Sequence, residues 1–238
     1  MRRCFQLAKL GAGLVAPNPM VGAVLVYKDR IIGEGYHRKY GEAHAEVNCL
    51  ASVSDEDQHL VEQSTLYVSL EPCAHFGKTP PCADLVIRKH IPEVVIGCRD
   101  SYAQVDGKGI QKLAGAGTKI IYPVLENEAL ELNRRFFTFH SRQRPYILLK
   151  WAQTADGKIG NSDNSRLFIS NELTNREVHR WRSTESSILV GTRTALKDDP
   201  SLANSDPLGA GWFFKIKFSD ASQLDALMDE TAYTKFAT

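Results

Sequence analysis

The most informative feature of this chain is a set of three stretches: His44-Ala45-Glu46, Glu71-Pro72-Cys73 and Thr79-Pro80-Pro81-Cys82. They supply one imidazole and two thiolates, which are three ligands for a tetrahedral Zn²⁺ ion that keeps its fourth position open for water. The carboxylate of Glu46 follows the histidine by two residues and is the natural proton carrier for that water. The sequence therefore predicts a catalytic zinc site with Glu46 as its acid and base.

The order of these residues is that of the zinc-dependent nucleobase deaminases. Such enzymes carry His-x-Glu followed by Pro-Cys-x-x-Cys, and their glutamate moves protons without binding the metal. Here eight residues separate Cys73 from Cys82, where two are usual. The intervening loop contains a glycine, two prolines and the side chains of His75 and Lys78. Such a loop suits a phosphorylated substrate.

A structural zinc site is the main alternative interpretation. Cys4, Cys49 or Cys98 would then provide a fourth ligand and close the site. A structural site has no use for a glutamate beside its histidine or for a polar loop between its cysteines. Catalysis is therefore favoured, while a non-catalytic zinc-binding interaction module remains open.

Length and composition set broad limits. The chain has 238 residues, enough for one large or two small domains that each bury a core. A formal net charge of +1 gives no general basic footprint, so we expect no nucleic-acid partner. Five cysteines without a signal-like apolar run fit a reducing cytosol, and no segment has the roughly 20 apolar residues that cross a bilayer. We expect a soluble, cytoplasmic protein without a membrane partner.

The hydrophobic pattern alternates strands with helices, which indicates an α/β layered sheet. His44 and Glu46 fall in the first turn of one predicted helix, and Cys82 opens another. A helix N-terminus favours the thiolate form of a nearby cysteine. The predicted strands are 21–26, 30–36, 65–70, 94–97 and 118–122, and the predicted helices are 1–11, 44–51, 82–88, 110–116 and 126–139.

A domain boundary is predicted near residue 143. Arg142-Gln143-Arg144-Pro145 has the composition of a linker and precedes an apolar strand over 146–150. The first domain then spans residues 1–143, and the second spans 144–238. From about residue 205 the second domain carries an unrecognised tail, with a strand predicted over 212–218 and a short helix over 224–228.

These stretches resemble one family, the bifunctional deaminase/reductase of riboflavin biosynthesis. The resemblance covers roughly residues 1–204, and the run from Cys73 to Cys82 is highly specific. It implies a cytidine-deaminase-like α/β/α domain of three layers, followed by an incomplete dihydrofolate-reductase-like α/β domain. The other matching stretches are Pro17-Asn18-Pro19-Met20-Val21-Gly22, Gly35-Tyr36-His37, His44-Ala45-Glu46-Val47 and Gly107-Lys108-Gly109.

For the first domain, the resemblance implies hydrolytic deamination of a phosphoribosylated diaminopyrimidinone, a small-molecule substrate. It makes His44, Cys73 and Cys82 the Zn²⁺ ligands and Glu46 the catalytic residue. Without it, Asn18 between two prolines would be interpreted as a turn residue, and His75 as a surface or capping histidine. The implied substrate-binding residues are Asn18, His37, His75 and Lys78.

The second segment resembles the reductase half of the same family, which uses NADPH. No Gly-x-Gly-x-x-Gly fingerprint occurs, so the sequence does not support a Rossmann-type cofactor site. Arg182 is the physically clearest candidate, because a guanidinium grips a phosphate in bidentate fashion, although a solvated helix charge is the alternative. The implied NADPH-binding residues are Ala152, Leu167, Thr194 and Asp198, and the implied substrate-binding residues are Ser165, Arg182 and Leu202.

After Leu202 the sequence departs from the family pattern. Ala203-Asn204-Ser205-Asp206 stands where a Thr-Val-Arg-like stretch is expected. A sheet that lacks its later strands would expose apolar surface and an open edge, which predicts either poor stability or assembly with a partner chain, as in a homo-oligomer. A nucleic-acid or nucleoside deaminase is the remaining rival function, but it calls for a basic channel and stacking aromatic side chains, and neither is evident.

Overall fold

The computed structural model of this protein describes residues 1–77, 80–102, 105–162, 165, 167–185 and 187–189. The described residues up to Thr184 form one compact unit. Four candidate residues, Lys78, Thr194, Asp198 and Leu202, lie outside the described residues, as do the strand and helix predicted in the tail.

Within the described residues, five strands form one sheet in the order β2-β1-β3-β4-β5. β1 pairs with β2 and with β3 in antiparallel fashion, and β3, β4 and β5 run parallel. The five predicted strands are confirmed to within one residue at each end. The strands are β1 (Gly22–Tyr27), β2 (Arg30–Tyr36), β3 (Thr65–Leu70), β4 (Glu93–Cys98) and β5 (Lys119–Ile121).

Helices cover the sheet. Two short 3₁₀ helices, Lys9–Gly11 and Asp55–Gln63, join the α-helices in the first half of the chain. The α-helices are α1 (Arg2–Ala8), α2 (Ala45–Ala51), α3 (Cys82–Arg88), α4 (Lys108–Gly115), α5 (Glu126–Leu132), α6 (Arg134–Arg142) and α7 (Glu172–Thr184). None of the helices in the described part of the chain is both long enough and apolar enough to cross a membrane.

Both faces of the sheet are buried, which gives three layers. Successive strand residues point to opposite faces. Leu25 accordingly packs into the core formed with α2, α3 and α4, whereas its neighbour Val24 packs against Cys4 and Leu7 of α1. Strands that are buried on both faces carry near-continuous apolar sequence, which is the pattern that identified them. The expected α/β/α arrangement is confirmed.

The topology gathers loops and helix starts at one edge of the sheet. Leu70, the last residue of β3, pairs with Cys98, the last residue of the parallel strand β4. The chain segments that follow both strands therefore emerge side by side. In open α/β sheets such an edge is where ligands bind.

The predicted helix over 126–139 is divided into α5 and α6 at Asn133. The Asn133 side chain is 4% exposed and holds the backbone of Met20 from both sides. Its Oδ1 accepts from the Met20 N–H at 2.8 Å, and its Nδ2 donates to the Met20 carbonyl at 2.8 Å. Because of this long-range contact, the backbone of Asn133 is not helical, and α6 starts in a new direction. The helical pattern of the sequence does not reveal this change of direction.

The predicted strand over 146–150 is not formed. A strand needs a neighbour to accept its ladder hydrogen bonds, and none lies beside this segment among the described residues. Its apolar side chains remain exposed, Ile147 at 62% and Leu149 at 75%. The domain boundary near residue 143 stays a prediction.

Candidate metal centre and substrate pocket

Three predicted ligands converge from three elements of the fold. His44 is the N-cap residue of α2, Cys73 lies in the loop after β3, and Cys82 is the first residue of α3. The Sγ atoms of Cys73 and Cys82 lie 3.6 Å and 3.4 Å from Nδ1 of His44. All three donor atoms lie within 4.8 Å of one another.

These distances fit a tetrahedral zinc ion. With Zn–S bonds of about 2.3 Å and a Zn–N bond of about 2.0–2.1 Å, tetrahedral angles place sulfur and nitrogen ligands roughly 3.5–3.6 Å apart. Among the described residues, no fourth histidine, cysteine or carboxylate joins the group. The donor set therefore leaves one coordination position for water or substrate, as in catalytic zinc sites.

The other three cysteines do not compete for the metal. Cys4, Cys49 and Cys98 are fully buried and belong to the hydrophobic clusters of the fold. Burial raises the pKa of Cys4 and of Cys98 to about 12, and it raises the pKa of Cys49 as well. Thiols in this state are poor metal ligands, because the thiolate is the binding form.

The electrostatics of the cluster favour proton loss at Cys73. A hydrogen bond from the Cys82 thiol lowers the pKa of Cys73, the His44 ring lowers it as well, and the Cys82 backbone N–H donates to Cys73 Sγ at 3.3 Å. The pKa of Cys82 is raised, because its proton is held between the two sulfurs. The hydrogen bond with Cys73 also raises the pKa of His44. A bound zinc ion would require Cys73 and Cys82 as thiolates and a neutral His44 ring, so its binding would release these protons.

Glu46 lies in the first turn of α2, two residues from His44. Its side chain is 3% exposed, and burial raises the pKa of its carboxyl group. It lines the same cavity as His44 and Cys73. A carboxyl group whose pKa is raised by burial suits proton exchange near neutral pH.

A cavity of about 440 Å³ opens beside the cluster. The structure brings three of the four predicted deaminase substrate residues to its lining, namely Asn18, His37 and His75. The fourth, Lys78, lies outside the described residues. Sequence reasoning missed several other lining residues, among them Tyr40, Glu42, Asp100, Tyr102, Phe136, Phe139 and His140.

Hydrogen bonds fix the orientation of His37 and Asn18. Nδ1 of His37 lies 3.1 Å from the Ala43 carbonyl oxygen, which can only accept, so Nδ1 carries the proton. Nε2 is then the acceptor and faces Nδ2 of Asn18 at 3.1 Å. Burial lowers the pKa of His37, which agrees with a neutral ring. The Asn18 amide is thereby oriented, with its nitrogen towards His37.

The missed residues include aromatic and histidine rings that lie side by side at the cavity, contributed by the segment after β4 and by α6. Tyr102, in the segment after β4, lies between His75, at a ring-centroid distance of 6.0 Å, and His140 of α6, at 5.0 Å. The Phe136 ring lies 4.4 Å from that of His140. Phe136, Phe139 and His140 follow i, i+3, i+4 spacing, so one face of α6 was recognisable in the sequence, but not its position over the cavity.

The described candidates for the reductase site lie elsewhere. Ala152 and Leu167 are half-buried, whereas Ser165 and Arg182 are exposed. Asn161 Nδ2 donates to Ser165 Oγ at 2.8 Å, and Arg182 stands in the last turn of α7. None of these four residues lines the cavity at the cluster. Their roles stay predictions.

Comparisons with known proteins identify the family of this chain. The model of the cytidine and deoxycytidylate deaminase zinc-binding region matches residues 1–98, and that of the RibD C-terminal domain matches residues 145–210. The riboflavin biosynthesis protein RibD of Aquifex aeolicus is 45% identical over 202 residues, which are 85% of this chain and 56% of that protein. The chain belongs to the RibD family. The RibD of Escherichia coli is 37% identical over 202 residues, covering 85% of this chain and 54% of its own length.

Solved structures of RibD proteins are also similar to this chain. The diaminohydroxyphosphoribosylaminopyrimidine deaminase/5-amino-6-(5-phosphoribosylamino)uracil reductase of Thermotoga maritima matches with a TM-score of 0.79 and 44% identity, over 85% of this chain and 57% of that one. RibD of Acinetobacter baumannii matches with a TM-score of 0.76 and 37% identity, over 83% and 55%. The chain thus spans about half the length of these RibD relatives.

Proposed function

We propose that this chain is a zinc-dependent deaminase that acts on a phosphoribosylated diaminopyrimidinone in riboflavin biosynthesis. The observation that carries the proposal is the convergence of His44, Cys73 and Cys82 beside the buried Glu46, at a cavity large enough for a small molecule. The substrate class is supported by the activity named for the Thermotoga maritima relative. His44, Cys73 and Cys82 would hold the zinc.

When bound, Zn²⁺ would supply Lewis-acid activation of a water molecule. Glu46 performs the proton transfers. It takes a proton from the attacking water and gives it to the ring nitrogen next to the amino-bearing carbon. It then takes the remaining proton from the added hydroxyl group and delivers it to the amino group, so that a carbonyl forms as the C–N bond breaks and ammonia leaves. Burial keeps bulk water from Glu46 while these protons move.

Substrate recognition is proposed for the residues around the cavity. Because Nδ2 of Asn18 faces His37, its Oδ1 is the atom offered to an N–H group on the pyrimidine edge. His37 holds that amide in place from its buried position. His75 lies at the cavity against Tyr102, and Lys78 would meet the phosphate as a point charge.

A second activity, NADPH-dependent reduction of the ribosyl group of the product, is proposed for the segment from residue 145 onward. Its support is the match of residues 145–210 to the RibD C-terminal domain. Ala152, Leu167, Thr194 and Asp198 remain the proposed NADPH-binding residues, and Ser165, Arg182 and Leu202 the proposed substrate-binding residues. Assembly into a homo-oligomer, a cytoplasmic location and the lack of a nucleic-acid partner also stay predictions.

The test is ammonia release from the diaminopyrimidinone ribotide, with NADPH oxidation followed in the same sample. We expect ammonia release that disappears with a chelator and returns with Zn²⁺. Cytidine and a single-stranded DNA oligonucleotide serve as matched alternative substrates. Release from either of these and not from the ribotide would favour the rival deaminase. Stoichiometric zinc binding without ammonia from any substrate would identify a non-catalytic module.

A further inference from the structure

Glu71 is a buried carboxylate that accepts four hydrogen bonds from the backbone of one distant segment. Its side chain is 4% exposed. Oε2 accepts from the N–H groups of Asp100 at 3.2 Å and Gly107 at 3.0 Å. Oε1 accepts from the N–H groups of Gly109 at 2.9 Å and Ile110 at 3.2 Å. One side chain therefore satisfies four backbone donors.

These contacts connect the two sides of the candidate site. Glu71 follows β3 and precedes the proposed ligand Cys73 by two residues. The donors lie in the segment between β4 and α4 and in the first turn of α4. Asp100, Tyr102 and Val105 of that segment line the cavity. The Glu71 carboxylate thus links the segment that carries the proposed metal ligand Cys73 to the segment that contributes residues to the cavity wall.

The side chain has to be a carboxylate. Four N–H donors divided between two atoms require an acceptor at each atom, and only an ionised carboxylate offers both. The amide of glutamine would place an NH₂ group against one of the two donor pairs. The backbones also meet closely, because a Cβ atom on Gly109 would lie 1.9 Å from the Pro72 carbonyl oxygen. There is therefore no free space between the backbones of Pro72 and Gly109.

We propose that Glu71 is a positioning residue of the deaminase site, which fixes the cavity-lining residues Asp100, Tyr102 and Val105 relative to Cys73. This inference rests on the proposed function. The metal ligands have supports of their own, since the Cys82 N–H donates to Cys73 Sγ and the Ala83 N–H donates to the Cys73 carbonyl at 3.1 Å. Loss of the Glu71 contacts accordingly weakens substrate binding while zinc is retained.

The experiment compares the full chain with its Glu71→Gln variant. We expect equal zinc content and a KM for the ribotide that rises about tenfold, because a small displacement of a cavity wall misplaces the substrate. The matched control is Glu93→Gln, which removes an ion pair with Lys119 at the other end of β4, away from the cavity. This control should lower the thermal midpoint without changing KM.

Amide hydrogen exchange provides a readout that does not depend on activity. In Glu71→Gln, the four donor amides of Asp100, Gly107, Gly109 and Ile110 should exchange faster, while the amide of Leu66 in β3 stays protected. If Glu71→Gln does not fold, Glu71→Asp takes its place, since the shorter side chain keeps two acceptors but cannot reach both donor pairs.

Two results would overturn the proposal. One is an unchanged KM and unchanged exchange at the four donors with only a lower thermal midpoint, which would make Glu71 a general stability residue. The other is loss of zinc, which would make Glu71 a support of the metal ligands. If the unaltered chain releases no ammonia, the proposed function fails, and the exchange pattern still decides whether Glu71 fixes the wall.

Discussion

Residues 1–142 and the described residues from 145 to 189 both carry family motifs, yet they differ in how their apolar side chains are used. In the first region, Leu25, Leu66 and Ile96 are fully buried between the sheet and its helices. In the second, among the described residues, Val178 is the one buried apolar side chain, while Leu149 is 75% exposed and Phe168 is 76% exposed. Both regions therefore carry family motifs, but only the first buries its apolar side chains in a core among the described residues.

The difference shows what turns a motif into a site. His44 lies 29 residues from Cys73 and 38 from Cys82 in sequence, and the sheet brings all three together. No comparable sheet surrounds the described residues after 145. The deaminase proposal therefore has geometric support, whereas the reductase proposal has sequence support alone. Three of the four predictions below compare a residue of the first region with a matched residue of the second.

The largest effect is expected for loss of a metal ligand. Cys82→Ser removes a thiolate and leaves only two strong ligands, so zinc binding and ammonia release should both be abolished. The control is Arg182→Ala, which changes an exposed residue of α7 and should leave ammonia release unchanged. Zinc content by atomic absorption and ammonia release measure both. An equal loss in Arg182→Ala would show that the two regions share one site.

Removal of the acid and base is expected to have the next largest effect. Glu46→Gln keeps the size of the side chain and all three ligands, so zinc should remain bound. Turnover should fall by roughly 10³-fold, within the range for general acid-base groups. Single-turnover ammonia release, normalised to zinc, is the measurement. Full activity in this variant would show that Glu46 is not the acid and base of the reaction.

The sequence predicted local features well where neighbours in the chain determine them. The bounds of β3, Thr65–Leu70, and of α3, Cys82–Arg88, were predicted to the residue. In both cases an apolar run meets a proline-containing loop, so the signal is contained in the segment itself. The grouping of His44, Cys73 and Cys82 was predictable as well, because one histidine and two cysteines in this order are typical of a zinc site.

The remaining features depend on contacts between distant parts of the chain. The division of 126–139 at Asn133 comes from its two hydrogen bonds to Met20, 113 residues away. The same division places His140 against Tyr102 at the cavity. The predicted strand at 146–150 needs a partner that the described residues do not provide. No pattern within one segment carries this information.

A smaller effect is expected from truncating one leucine in each region. Leu66→Ala opens a cavity at a fully buried position of β3 and should lower the free energy of unfolding by about 3 kcal/mol. Leu149→Ala removes a side chain that is 75% exposed and should change it by less than about 0.5 kcal/mol. Urea unfolding followed by circular dichroism tests both. A large loss in Leu149→Ala would mean that this side chain is covered in solution.

The smallest effect concerns one carboxylate in each region. Burial raises the pKa of Asp100 to about 7, whereas a hydrogen bond from Thr154 lowers the pKa of the exposed Asp156. A raised pKa means that the folded state holds the Asp100 proton more tightly than the unfolded state does. The stability associated with that proton is complete below about pH 4 and is lost as pH rises through about 7.

Asp100→Asn should therefore stabilise the protein at pH 8, by on the order of 1 kcal/mol, and have little effect at pH 4. An asparagine at this position keeps an oxygen for the Tyr102 N–H, which donates to Asp100 Oδ1 at 2.8 Å. Asp156→Asn should bring no such gain at pH 8, because the sign of its shift is opposite. Thermal midpoints at the two pH values decide the matter. An equal gain in stability for Asp100→Asn at pH 4 and at pH 8 would contradict this prediction. Only a group that changes its charge between these pH values makes stability depend on pH, so an equal gain would mean that it does not come from the charge of Asp100.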